Sequence, residues 1–315
     1  MNVVVTGAVG FIAHNLCKEL TKQGYDVYGV DNLSGGYSQF EKTKQHVKDL
    51  FIIDFTDERQ VEKFFRSIPQ IDTVFHVGAL PRVQFSIQHP ITTHRSNTTG
   101  TIVLLEQSIK NNVRRLVFSS SSSVYGNQDT LPLKENMIPN PMSPYALHKL
   151  TGEYYCKLYY DIHGLETISL RYFNVYGGNQ SPDSDYAAAI PKFTRQIRHG
   201  EKPTVYGDGE QSRDFSFVDD VVDINIKASQ TTNEDALGEV FNVGYGEQTT
   251  VNELITLILD YYRSNLEPVY LDPVIEARHT RADISKARRL LGWEPQNDIT
   301  SGLAVTLQEF DHRNI

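Results

Sequence analysis

The chain of 315 residues is 39% hydrophobic and 22% charged, with a net charge of -9. That is a globular rather than a disordered balance, and the length suits one large domain or two unequal ones. The acidic excess argues against a nucleic-acid partner, because a phosphate-tracking surface needs basic residues. Cys17 and Cys156 are the only cysteines, each in an expected helix, so reduced thiols in a cytoplasmic protein are expected rather than a disulfide framework. Met1 leads at once into Val3-Val4-Val5, and no charged leader, cleavage site or bilayer-length apolar run is read. Neither membrane association nor a metal is expected.

The first half alternates β-rich runs with helical stretches. Strands are predicted at Asn2–Thr6, Asp26–Asp31, Leu50–Asp54, Thr73–Val77 and Arg115–Ser119, with helices at Gly10–Gln23, Asp57–Ser67 and Thr92–Asn111 between them. Strands apolar on both faces and joined by helices imply an α/β fold with a mostly parallel sheet. A long helix is predicted at Pro144–His163, with Ser143 as its N-cap, followed by a strand at Glu166–Tyr172. After Asn174 the rhythm breaks at Gly177-Gly178-Asn179-Gln180-Ser181-Pro182. Helices are then expected at Ala187–His199, Val218–Ser229, Val251–Ser264 and Ile284–Leu291, and strands near Thr204–Tyr206 and Val240–Val243. Residues 1–174 read as a cofactor-binding domain and 175–315 as a smaller substrate lobe, part of which returns to the sheet.

Thr6-Gly7-Ala8-Val9-Gly10-Phe11-Ile12-Ala13 closes the first strand and opens the first helix. Gly7 and Gly10 permit a tight turn and close approach of a pyrophosphate, and the helix N-terminus supplies N–H groups and positive potential. Asp31 ends the second strand, where a carboxylate binds a ribose diol and repels a 2′-phosphate, favouring NAD over NADP. Asp54, at the expected end of the third strand, is placed to reach the adenine.

Tyr145 and Lys149 stand one turn apart on the long helix and share a face. A free phenol of pKa about 10 is ionised in only about one molecule in a thousand at neutral pH. A nearby ammonium and an oxidised nicotinamide both favour the anion, and a shift of about three units, worth about 4 kcal/mol, makes a working general base. Taken alone, such a pair is common on helices and is usually just a surface contact. The run Ser119-Ser120-Ser121-Ser122-Ser123 raises the functional reading, because it falls at the carboxyl end of a parallel strand, where open α/β sheets hold ligands. A polar loop is its plain alternative.

Together these segments resemble the extended short-chain dehydrogenase/reductase family, and most closely its nucleotide-sugar 4-epimerases of the UDP-glucose 4-epimerase type. The resemblance also rests on His76-Val77-Gly78-Ala79, Ser119–Gly126, Leu170–Gly177, Gly207-Asp208-Gly209 with Arg213-Asp214-Phe215, Ala282–Lys286 and Leu291-Gly292-Trp293. It implies a Rossmann-type doubly wound sheet with a smaller C-terminal α/β lobe. It also implies Ser121, Tyr145 and Lys149 as catalytic residues. By the same resemblance Phe11, Ile12, Asn32, Ser34, Gly35, Phe55, Val77, Ala79, Asn97, Ser119, Tyr145, Lys149 and Phe173 join Gly7, Gly10, Asp31 and Asp54 around NAD. The substrate is expected on Arg82, Ser121, Ser123, Tyr145, Asn174, Ala188, Tyr206, Arg213, Glu276, Arg278 and Thr280. Pro273 stands where the family often has a phosphate-binding arginine, and Arg278 is the expected substitute.

The resemblance implies reversible oxidation of a UDP-sugar at C4, rotation of the 4-keto sugar, and return of the hydride to its other face. Thr280 and Tyr186–Pro191 resemble epimerases of N-acetylated sugars, which favours UDP-GlcNAc/UDP-GalNAc, with UDP-glucose/UDP-galactose as a further pair. Arg82 keeps UDP-glucuronate 4-epimerisation open. Ser122 and Ser123, where 4,6-dehydratases carry Asp-Glu, argue against dehydration. The intact Ser121, Tyr145 and Lys149 argue against a non-catalytic NAD-sensing scaffold. A homodimer through Thr92–Asn111 and Pro144–His163 is implied as well.

Overall fold

Short runs rich in Val, Ile, Leu and Phe form seven strands in one sheet: β1 (Asn2–Thr6), β2 (Asp26–Asp31), β3 (Asp49–Ile52), β4 (Ile71–His76), β5 (Arg115–Ser121), β6 (Glu166–Tyr172) and β7 (Glu239–Val243). They lie in the order β7-β6-β5-β4-β1-β2-β3, and every neighbouring pair is parallel. The computed structural model describes residues 1–36, 39–180, 188–273 and 277–312. The strand order reverses beside β1, so the crevice for a ligand opens at the carboxyl ends of β1 and β4.

The longer helices are α1 (Phe11–Lys22), α2 (Glu58–Ser67), α3 (Gly100–Lys110), α4 (Pro144–His163), α5 (Ala189–Arg198), α6 (Val218–Gln230), α7 (Val251–Tyr262), α8 (Ser285–Leu291) and α9 (Ile299–His312). Alternation along β1 shows how they cover the sheet. Val3 and Val5 join a core with Leu16 and Leu20 of α1 and Val221 and Ile224 of α6. Val4 joins the opposite core, with Phe64 and Phe65 of α2, Leu104 and Leu105 of α3 and Cys156 of α4. A third core, built from α5, α7 and α9 around Phe215 and Phe217, forms the lobe. Among the described residues, no helix is long and apolar enough to cross a membrane.

Several expected elements are corrected. The helix expected at Thr92–Asn111 is present but runs from Pro90 to Lys110 and carries a π-helical turn at Arg95–Thr99, between a first turn at Pro90–His94 and α3. The wider turn brings Asn97 inward, where its Oδ1 accepts Leu80 N at 2.8 Å and its Nδ2 donates to Leu80 O at 3.0 Å. β3 ends at Ile52, so Asp54 does not close that strand. It instead accepts Thr56 N at 2.8 Å in the turn leading to α2. β5 runs on to Ser121, because Ser119, Ser120 and Ser121 pair with Leu170, Arg171 and Tyr172 of β6.

Candidate active site

The cofactor cradle begins at Gly7, whose φ of +66° lies in the left-handed region. A Cβ there would come within 2.6 Å of Gly78 Cα, so the turns after β1 and β4 touch backbone to backbone. Gly10 is the N-cap of α1 and brings no side-chain cap, which leaves the first-turn amides and dipole for an anion. Phe11 and Ile12 are half-buried at that helix start.

Asp31 is buried at the end of β2, with Oδ2 accepting Val9 N at 2.9 Å and Oδ1 accepting Leu33 N at 2.7 Å. Burial raises its pKa, opposed by those two amides and that of Asn32. Asn32 accepts Ser34 N at 3.0 Å, and Ser34 and Gly35 are exposed in the following turn. A bare helix N-terminus, a glycine turn that a Cβ would fill and a carboxylate at the second strand fit a dinucleotide. Phe55 is buried with its ring 5.5 Å from His76, and Val77 and Ala79 are half-buried beyond β4.

His76 ties this cradle together. Thr101 Oγ1 donates to Asn97 O at 2.8 Å, so it accepts from His76 Nε2 at 2.9 Å. His76 Nδ1 then accepts from Thr6 Oγ1 at 2.8 Å, and Thr6 Oγ1 accepts Gly78 N at 3.0 Å. Burial pushes the imidazole down to about 3, so it stays neutral and the chain keeps one direction.

Ser121 at the end of β5, Tyr145 in the first turn of α4 and Lys149 one turn later converge. The Ser121 hydroxyl accepts Ser123 N at 3.2 Å and Ser123 Oγ at 3.0 Å. Burial raises the pKa of Tyr145, and a hydrogen bond with Ser121 opposes the rise. The Lys149 ammonium donates to Ser119 O at 2.6 Å and lies 5.0 Å from the Phe118 ring. Burial lowers it to about 8. Behind the strand, Ser120 donates to Glu153, which pairs with Arg171 at 2.9 and 2.7 Å. Phe173 is fully buried, its ring 6.2 Å from Tyr125.

On the lobe side, a buried carboxylate gathers the expected substrate residues. Asp214 accepts Tyr245 N at 2.7 Å, Gly246 N at 3.0 Å and Ala282 N at 2.9 Å, and burial raises it to about 7. Its backbone N donates to Thr280 Oγ1 at 3.4 Å, and its carbonyl accepts Asn174 Nδ2 at 2.9 Å. Asn174, Thr280 and the adjoining Arg213 are thereby brought together. Arg213 Nη1 donates to Ser212 O and Arg278 O at 2.9 and 3.1 Å. The Arg278 guanidinium pairs with Asp208 at 2.7 Å. Tyr206 is exposed, with Lys192 Nζ 4.7 Å from its ring. Ala188 precedes α5, and Arg82 precedes the short helix Val83–Gln88; both are exposed. Glu276, Tyr186 and Ala187 lie outside the described residues. Asp214, Thr101 and the Glu153–Arg171 pair were not singled out from sequence for any role in the site.

Residues 3–244 match the model of the NAD dependent epimerase/dehydratase family. The chain belongs to this family. Within it, the UDP-glucose 4-epimerase of Thermotoga maritima with UDP-glucose is 37% identical, with a TM-score of 0.95 over 100% of each chain. The UDP-N-acetylglucosamine 4-epimerase of Methanobrevibacter ruminantium M1, in complex with UDP-N-acetylmuramic acid, is 35% identical, with a TM-score of 0.90 over 99% of this chain and 98% of that one. The UDP-glucuronic acid 4-epimerase of Bacillus cereus, in complex with UDP-glucuronic acid and NAD, is 30% identical, with a TM-score of 0.91 over 99% and 100%. NAD is the family's cofactor, and the Rossmann-type sheet expected from the motifs is the family's fold.

Proposed function

We propose that this NAD-dependent UDP-sugar 4-epimerase interconverts UDP-GlcNAc and UDP-GalNAc, with UDP-glucose/UDP-galactose as a further pair, through a transient 4-keto sugar. The observation that carries the mechanism is the convergence of Ser121, Tyr145 and Lys149 at the carboxyl end of β5. Tyr145 takes the proton of the sugar 4-hydroxyl and later returns one to the other epimer. Ser121 shares a hydrogen bond with the phenol and favours its anion. Lys149, anchored on Ser119 O, adds positive charge on the same helix face. NAD, when bound, supplies the hydride acceptor and then the donor. The Gly7–Gly10 turn, the start of α1 and Asp31 would hold it. Turnover with Tyr145→Phe tests the base: loss of about 100-fold or more in kcat is expected, and unchanged turnover refutes the assignment.

The sugar preference rests on Thr280, a small side chain beside Asn174 and Arg213, and on the likeness to the M. ruminantium enzyme. The likeness to the B. cereus enzyme and the exposed Arg82 favour a uronic acid as the second reading. Comparing kcat/KM for the three sugar pairs decides between them. A preference of about 100-fold, or 2.7 kcal/mol, for a non-acetylated pair rejects the first. Ser122 and Ser123 supply no acid beside the sugar for dehydration, and an NAD-sensing scaffold has no need of a converged catalytic trio. We propose further that the enzyme is a homodimer through Thr92–Asn111 and Pro144–His163, on whose outward side the apolar Leu147, Tyr154, Leu158 and Ile162 stand beside the ion pair of Lys157 and Asp161.

A further inference from the structure

The phenol of Tyr145 hangs from the first turn of α4, and the first turn of a helix is held only by what caps it. Pro144, at the first helical position, has no N–H to offer. The Ser143 hydroxyl accepts Ala146 N at 3.2 Å. That leaves the amide of Tyr145 itself, and it donates to Ser86 Oγ at 3.1 Å. Ser86 is fully buried in the short helix Val83–Gln88. Its own proton goes to Val83 O at 2.6 Å, which aims an oxygen lone pair at the tyrosine amide and polarises it. Arg82 is the residue that starts this same short helix.

We infer that Ser86 is a positioning residue for the catalytic tyrosine: it caps the tyrosine's own amide from a second chain segment, and so ties the phenol to the segment carrying Arg82. The inference rests on Tyr145 being the base. The capped nitrogen is bonded directly to the Cα from which the phenol projects, so a small tilt of the turn is magnified at the hydroxyl. Misplacement by about 1 Å costs a reaction on the order of 100-fold. A tilt also weakens the hydrogen bond with Ser121 that opposes the rise in the phenol's pKa.

The test compares Ser86→Ala with wild type, Tyr145→Phe, Ser86→Thr and Ser143→Ala, on whichever UDP-sugar pair the wild type turns over fastest. For Ser86→Ala, kcat is expected to fall about 10- to 100-fold, with KM within about 3-fold and bound NAD unchanged. The limb of the kcat profile that rises with pH moves to higher pH. Ser86→Thr, which keeps the oxygen, returns kcat to within about 3-fold of wild type. Ser143→Ala removes the other cap of the same turn and lowers the melting temperature, with kcat again within about 3-fold. If Ser86→Ala aggregates, Ser86→Cys, of similar size but a weak acceptor, takes its place with the same reading. Wild-type kcat and pH profile in Ser86→Ala, or an equal loss of kcat in Ser143→Ala, overturns the inference. An active Tyr145→Phe instead overturns the assignment of the base, whereas an inactive Tyr145→Phe beside a wild-type-like Ser86→Ala sinks only the role of Ser86.

Discussion

Lys149 shows at the scale of one residue what burial does to a charge. Removed from water, its ammonium is weakened to about 8, where an exposed lysine holds its proton to about 10.4. On the proposed mechanism, the folded enzyme above pH 8 loses the positive charge that favours the Tyr145 anion, and kcat/KM is expected to fall from about pH 8. A pH profile flat to pH 10 contradicts this. His76 makes a matching statement about stability. Its folded pKa is about 3, while an unfolded imidazole takes a proton near 6.5. Between those values the unfolded chain binds more protons, so the contribution of His76 is complete above about pH 6.5 and is lost as pH falls toward 3. Asp214 acts in the opposite sense: raised to about 7, it binds a proton in the fold before the unfolded carboxyl does, and gains as pH falls. Because both proteins keep Asp214, comparing His76→Gln with wild type isolates the imidazole. The variant's melting temperature is expected to decline less steeply below pH 6.5, and parallel curves in a thermal scan reject the account.

At the scale of elements, the turn from β1 into α1 is the most constrained. Gly7→Ala puts a methyl within 2.6 Å of Gly78 Cα, at a backbone angle that L-residues rarely adopt. Strain of about 1–3 kcal/mol is expected, with at least about a 10-fold loss in NAD affinity, measurable by cofactor content after gel filtration. Elements specified by neighbouring residues were legible in the sequence. Ser143-Pro144 announced the start of α4, and short runs apolar on both faces announced β1, β2 and β6. Ser121, Tyr145 and Lys149, the proposed catalytic residues, could be singled out because each falls in a local motif. What distant partners specify was not legible. The π-helical turn at Arg95–Thr99 goes with Asn97 meeting Leu80. The strands Ser212–Arg213 and Thr249–Thr250 pair with each other across the chain, and Ser212 also bridges His279. The cap from Ser86 to Tyr145 spans 59 residues of chain. Helix α9 left a usable signal that the sequence reading did not take up: Leu303, Leu307 and Phe310 recur at helical spacing and are buried in the lobe core.

At the scale of the whole molecule, the net charge of -9 opposes self-association unless a face free of like charge is available. Helix α4 offers a largely apolar one, on which Asp161 is neutralised by Lys157. Its inner side packs on the sheet so tightly that a Cβ at Gly152 would come within 2.4 Å of the Phe118 ring. Its outer side presents Leu147, Tyr154, Leu158 and Ile162 to solvent, and Ile87 and Ile91 before it add to the patch; Tyr154 is 61% exposed and Ile162 63%. Contiguous exposed apolar side chains of this kind mark an interface on a water-facing protein, and a two-fold pairing would bury the stripe against its own copy. Leu158→Glu places a carboxylate within that stripe, about three and a half turns from Tyr145 on one continuous helix. The wild type is expected to sediment as a dimer at about 10 µM, and the variant as a monomer with a lowered melting temperature, because burying an unpaired charge costs several kcal/mol. Its kcat should fall as well, since the helix that carries the base would lose the partner bracing its outer side. A wild type that sediments as a monomer at that concentration, or a variant that stays dimeric, removes the basis for placing the interface on α4.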